Sequence, residues 1–63
     1  MNKNNETPKM EFYNAKDVAQ IVSCSRATAY RTIDLLNREL EEKGCFTFSG
    51  KVSKKYFHER MYI

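Results

Sequence analysis

The stretch Val22-Ser-Cys-Ser-Arg-Ala-Thr-Ala-Tyr-Arg31, VSCSRATAYR, decides how this chain folds. Upstream of it, Val18, Ala19 and Val22 fall on one face at helical spacing, and Ile21 widens that stripe. Downstream, Ala29, Ile33, Leu36 and Leu40 are spaced four, three and four apart, which is one face of a longer α-helix. Ser23-Cys24-Ser25 interrupts the two patterns for three residues. The spacing therefore predicts two helices joined by a tight turn. Ser25 is placed to cap the second helix, because its hydroxyl can accept from a backbone amide that the helix start leaves unpaired. Asn14 can do the same for the first helix, with Asp17 adding negative charge to a positive first turn. Gly44 is placed to end the second helix as its C′ residue.

Beyond Gly44 the period changes from helical to alternating. Cys45-Phe-Thr-Phe48 puts Phe46 and Phe48 on one side, Ser49-Gly50 is a turn dipeptide, and Lys51-Val52-Ser53 can return as a second strand. A lone hairpin is marginal in water, so the two phenylalanines are expected to hold it against the helices. Ser53 can cap a last short helix from Lys54 to about Tyr62, with Phe57 and Met61 one turn apart and facing inward. Phe12, Tyr13, Tyr56 and Phe57 are expected in the core rather than on a base-stacking platform. Residues 1–10 are polar and carry a proline, which predicts a disordered lead before a domain of residues 11–63. The expected fold class is mainly α with a small β-hairpin, in the order helix, turn, helix, hairpin, short helix.

A chain of 63 residues leaves room for one small domain, since it buries only about 60% of the surface it exposes when unfolded. Cys24 and Cys45 form no CxxC pair and follow no signal-peptide pattern, so reduced thiols in a cytoplasm are expected. No apolar run approaches the roughly 18 residues that cross a bilayer, so no membrane association is expected. The net charge is +3 with a pI near 9.0. Positive and negative charges cancel over residues 1–25 and again over 26–43. The whole excess lies in residues 44–63, where Lys51, Lys54, Lys55 and Arg60 face only Glu59.

A short helix, a three-residue turn and a second helix form the arrangement that lays one helix across a DNA backbone and the next in the major groove. The run DVAQIVSCSRATAYRTID, residues 17–34, resembles the helix-turn-helix of many bacterial and phage DNA-binding proteins. Ala19 matches the small residue where the helices touch, Cys24 the apolar turn residue and Ser25 the cap. Thr28 and Arg31 match the polar face, and Ala29 and Ile33 the inward one. Ser23 departs from the pattern, which usually has glycine there for a positive φ. The longer run AKDVAQIVSCSRATAYRTIDLLNRELEEKG with GKVSKKYFHERM resembles the small excisionase-type winged helix-turn-helix proteins of phages and integrative elements of Gram-positive bacteria. The likeness covers residues 12–62. It implies a winged helix-turn-helix that binds specific double-stranded DNA as a recombination directionality or architectural factor, or as a small transcriptional regulator. The expected partners are double-stranded DNA and either an integrase or neighbouring copies of the same chain on DNA, the latter because a single small domain makes few contacts.

The residues present suit that expectation. Arg26, Ala27, Tyr30 and Arg31 would turn towards bases, since an arginine can grip guanine O6 and N7 and an alanine can touch a thymine methyl. Lys16, Ser25 and Thr28 would meet phosphates near the positive end of the second helix. Ser49, Gly50, Lys51, Lys54 and Lys55 would act as a wing on the flanking backbone or minor groove. Glu39, Glu41 and Glu42 crowd the far half of the second helix and would keep that end away from phosphate. The competing class is a protein-binding adaptor that docks on an integrase, a polymerase or a host protein with DNA binding secondary, for which Leu35 and the apolar end Met61-Tyr62-Ile63 would supply a patch for that or for self-association. No phosphate-cradling loop and no nucleophile with a base is visible, and His58 has no neighbour at metal-ligand spacing. Neither catalysis nor a metal, cofactor or small-molecule ligand is expected.

Overall fold

Two helix starts and two helix stops set the frame of the computed structural model, which describes residues 11–61. The lead assigned to residues 1–10, and Tyr62 and Ile63 of the apolar end, lie outside the described residues. Helix α1, Ala15–Ile21, opens on a reciprocal capping box. The Asn14 side chain accepts from the Asp17 amide at 2.9 Å, and the Asp17 carboxylate accepts from the Asn14 amide at 3.1 Å. Helix α2, Arg26–Glu42, opens on Ser25, whose hydroxyl oxygen accepts from the Thr28 amide at 3.1 Å. The two helices stop in the same manner, with a left-handed residue followed by an amide that closes on a carbonyl five positions back. Ser23, at φ 55°, precedes the bond from Cys24 N–H to Ala19 O at 3.0 Å. Gly44, at φ 88°, precedes the bond from Cys45 N–H to Leu40 O at 2.9 Å.

The strands differ from the expected hairpin in their partner. The sheet pairs β1, Phe12–Asn14, with β2, Lys51–Ser53, antiparallel, with Phe12 opposite Ser53 and Asn14 opposite Lys51. The segment before β2 contributes a single bridge, Phe48 to Lys51, across the Ser49-Gly50 turn. Gly50 at φ 76° fills the position where such a turn requires a positive φ. The phenylalanines do not hold this turn to the helices: Phe46 is 98% exposed and Phe48 56%. The space beside α2 is taken instead by Val52 and Phe57, both wholly buried, and Phe48 meets Phe12 edge to face at 5.4 Å.

One core joins the elements. Ala15 and Val18 of α1, Ala29, Ile33 and Leu36 of α2, Val52 of β2, and Tyr56 and Phe57 of the last helix are buried together. Tyr13, Ala19, Val22, Cys24, Leu40 and Met61 pack partly buried against them. Ile21 stands apart from the stripe it was expected to widen and is 38% exposed. Helix α3, Lys54–Met61, starts where the Ser53 hydroxyl accepts from the Tyr56 amide at 3.3 Å. Its outer side is fastened to α2 by Glu39, which accepts from Arg60 Nε at 2.7 Å, Arg60 Nη2 at 2.8 Å and the Tyr56 hydroxyl at 2.7 Å.

The hydrogen bonds from Arg60 and then Tyr56 hold the Glu39 carboxyl down from 4.5 to about 2. A carboxyl depressed in the folded state contributes stability that is present above its unfolded value and is lost as pH falls through the folded one. Stability measured by urea unfolding should therefore drop between pH 4.5 and pH 2, and Glu39→Gln should flatten that part of the curve. Ser23→Gly should raise stability by about 0.5 to 1 kcal/mol, because relief of left-handed strain outweighs the freedom glycine adds to the unfolded chain.

Candidate nucleic-acid interface

The start of α2 leaves its outer side open. Arg26, Ala27, Thr28, Tyr30 and Arg31 are all exposed, while Ala29 and Ile33 face the core. Arg26 with Tyr30, and Ala27 with Arg31, sit one turn apart, so the four residues expected to meet bases share one side of the helix. Among the described residues, neither the Ser49-Gly50 turn nor α3 buries that side, although the turn borders it at Tyr30. The Ser25 hydroxyl is committed locally, accepting from the Thr28 amide and donating to the Thr28 hydroxyl oxygen at 3.0 Å. Thr28 retains its own hydroxyl proton, which a phosphate oxygen can accept. The amides of Arg26 and Ala27 precede the first bond within the helix, from Ala29 N–H to Ser25 O at 2.9 Å, and add to its positive end. Lys16 is exposed in the first turn of α1.

The structure divides the expected wing into two groups. Ser49, Gly50 and Lys51 form a turn beside the first half of α2, and a Cβ placed on Gly50 would lie 3.8 Å from Tyr30 Cε1. Tyr30 thus flanks the turn while remaining 54% exposed. Lys54 and Lys55 open α3 instead. The Lys54 amide donates to Glu11 O at 2.9 Å, and its ammonium stands 5.3 Å from the centre of the Tyr13 ring. Lys55 is exposed.

What holds the turn to α2 is a residue that the sequence reading passed over. Asn37 is only 7% exposed and gives its amide hydrogens to two carbonyls, Phe48 O at 3.1 Å and Lys51 O at 2.8 Å. Its signal in the sequence is its place one helical turn after Ile33, on the inward side, where an apolar residue would be usual.

Charge along α2 runs from cationic to acidic. The first turn contains no acid and the last turn no base, an order opposite to the one the helix dipole favours. Side-chain partners moderate the acidic end: Arg60 and Tyr56 bind Glu39, and the Thr47 hydroxyl donates to Glu41. Arg60 is thereby withdrawn from the positive excess, which then rests on Lys51, Lys54 and Lys55 in the C-terminal third. Arg38 pairs with Asp34 along α2 at 3.2 Å in the open. His58 Nε2 lies 2.8 Å from the Tyr13 hydroxyl. Among the described residues there is no group of three or more His, Cys, Asp or Glu that could hold a metal ion. No described helix is long and apolar enough to cross a membrane.

The chain is similar to a curated protein, the ICEBs1 excisionase of Bacillus subtilis (strain 168). The two are 37% identical over 51 residues, a span that covers 81% of this chain and 80% of that one. No protein-family model matches the chain, and no solved structure is a significant match.

The cap that starts α2 can be tested directly. Ser25→Ala should cost about 1 kcal/mol, read by chemical denaturation, because the Thr28 amide loses its acceptor.

Proposed function

The chain belongs to the excisionase family, and from that premise we propose that it binds double-stranded DNA through a winged helix-turn-helix as a recombination directionality and architectural factor of a mobile element. The observation that carries the reading is the uncovered side of α2, with Arg26, Ala27, Tyr30 and Arg31 together at the cationic, amide-rich end of the helix. Arg26 and Arg31 read base edges in the major groove, and Ala27 contacts a thymine methyl. Thr28, the opening amides of α2 and Lys16 hold phosphates, which fix the helix in the groove without reading sequence. Lys51 at the turn, with Lys54 and Lys55 in α3, engages the flanking backbone. The protein contributes binding and DNA geometry while an integrase performs the strand chemistry. A single domain of this size makes few contacts, so neighbouring copies on adjacent sites raise the occupancy.

Binding to fragments of the element and host genome, followed by sequencing of the retained DNA, tests this reading. Retention of sites at the ends of the element supports it. Retention confined to a promoter would make the protein a transcriptional regulator instead. A protein-docking adaptor would retain DNA weakly and without preference. At the retained site, the logarithm of affinity should fall with the logarithm of salt at about 0.9 per phosphate engaged. Arg31→Ala should cost about 1 to 3 kcal/mol and relax preference at one base position. Lys51→Ala should weaken all sequences alike and lower the salt slope by about 1, as read by fluorescence anisotropy over a salt series.

A further inference from the structure

We propose that Asn37 is a positioning residue for DNA recognition, locking the Ser49-Gly50-Lys51 turn to α2 so that wing and recognition helix meet the duplex as one rigid surface. The inference rests on the DNA-binding reading above and adds to it a residue that touches no DNA.

Three observations carry it. First, Asn37 is buried at 7% exposure on a helix whose other buried residues are Ala29, Ile33 and Leu36, so a polar side chain there needs partners to remain. Second, those partners are the carbonyls of Phe48 and Lys51, one on each side of the turn, at 3.1 and 2.8 Å. A single NH₂ group thus holds both ends of the turn and fixes its position along α2 as well as its distance. Third, apolar packing secures only one end of the turn: Val52, next to Lys51, is wholly buried, but Phe46 and Phe48 on the other side are mainly exposed. The turn bridges Phe48 to Lys51, and Gly50 approaches Tyr30 with no side chain between them.

Asn37 lies about two turns beyond Tyr30, roughly 10 Å along the helix axis. A fastener at that point sets where the Lys51 ammonium arrives relative to Arg26 and Arg31 without occupying the surface that faces DNA. Without it, the Phe48 side of the turn loses its tie to α2, while the Lys51 side keeps only the sheet pairing and the neighbouring Val52. Ordering the turn would then oppose binding.

The test uses the full chain and two DNA duplexes, one limited to the base pairs under α2 and one extended to the flank that the turn would reach. For the wild type, the extended duplex should bind about tenfold more tightly, as expected for one added phosphate contact and its ordering. Asn37→Leu keeps the size of the side chain and removes the donors. It should bind the short duplex within about twofold of wild type and lose the gain from the flank. Lys51→Ala should lose the same gain, and the double variant should lose no more than either single change. An unchanged flank gain in Asn37→Leu, or additive losses in the double variant, would overturn the proposal. If the wild type binds neither duplex, the DNA-binding reading itself fails, which is a separate result.

Should Asn37→Leu not fold, Asn37→Asp serves as the second variant. A measurement on the wild type decides the matter if both fail. The side-chain NH₂ of Asn37 should exchange with water far more slowly than that of exposed Asn14, in both free and DNA-bound protein. Exchange as fast as Asn14 in the complex would overturn the proposal.

Discussion

Helices α1 and α3 and strand β2 each bury a side chain with one narrow strip of α2, the side formed by Ala29, Ile33 and Leu36, and β1 is held through β2. Helix α1 brings Val18 to that strip, β2 brings Val52 and α3 brings Phe57, each fully buried. In so short a chain these few side chains supply most of the apolar burial, so each is held to its place by close packing rather than by redundancy. The arrangement also divides the helix by function. Its inner side binds the rest of the molecule, and the outer side of its first two turns is left for something else.

The polar interactions complete what the small core cannot reach. Asn37 fastens the turn, Glu39 fastens α3 through Arg60 and Tyr56, and the Asn14 and Asp17 pair fixes where α1 starts. The first two tie separate segments to α2, and the third is local to the start of α1. The charge order of α2 shows a different preference. Arginines at its start and glutamates at its end oppose the dipole at some expense in stability, an order consistent with the proposed contact between that end and a polyanion.

Much of this was legible from residue spacing. The two helices, their caps at Asn14 and Ser25, the stop at Gly44 and the start of α3 at Ser53 follow from local chemistry, and each was read from it. The positive φ at Ser23 is implied by the helix-turn-helix resemblance rather than by spacing, and the structure has 55° there. The sheet was less accessible. An alternating run, Cys45 to Phe48, next to a turn reads as a hairpin, but β2 takes Phe12–Asn14 as its partner, a choice made by distant packing that no local pattern reveals. The exposure of Phe46 and Phe48 follows from the same cause, since Val52 and Phe57 already fill the space. The residues proposed to meet bases could be named because they occupy fixed positions after a cap. Asn37 was not, because its role depends on two backbone carbonyls 11 and 14 residues away.

The pairing of β1 with β2 joins residue 12 to residue 53, near the two ends of the described chain. Closing so long a loop carries an entropic penalty that local helix formation does not. Helices α1 and α2 depend on contacts close in sequence, whereas the sheet needs Lys51–Ser53 to return across both helices to Phe12–Asn14. Closure of the sheet is thus the most non-local step of the fold and the one expected to limit its rate.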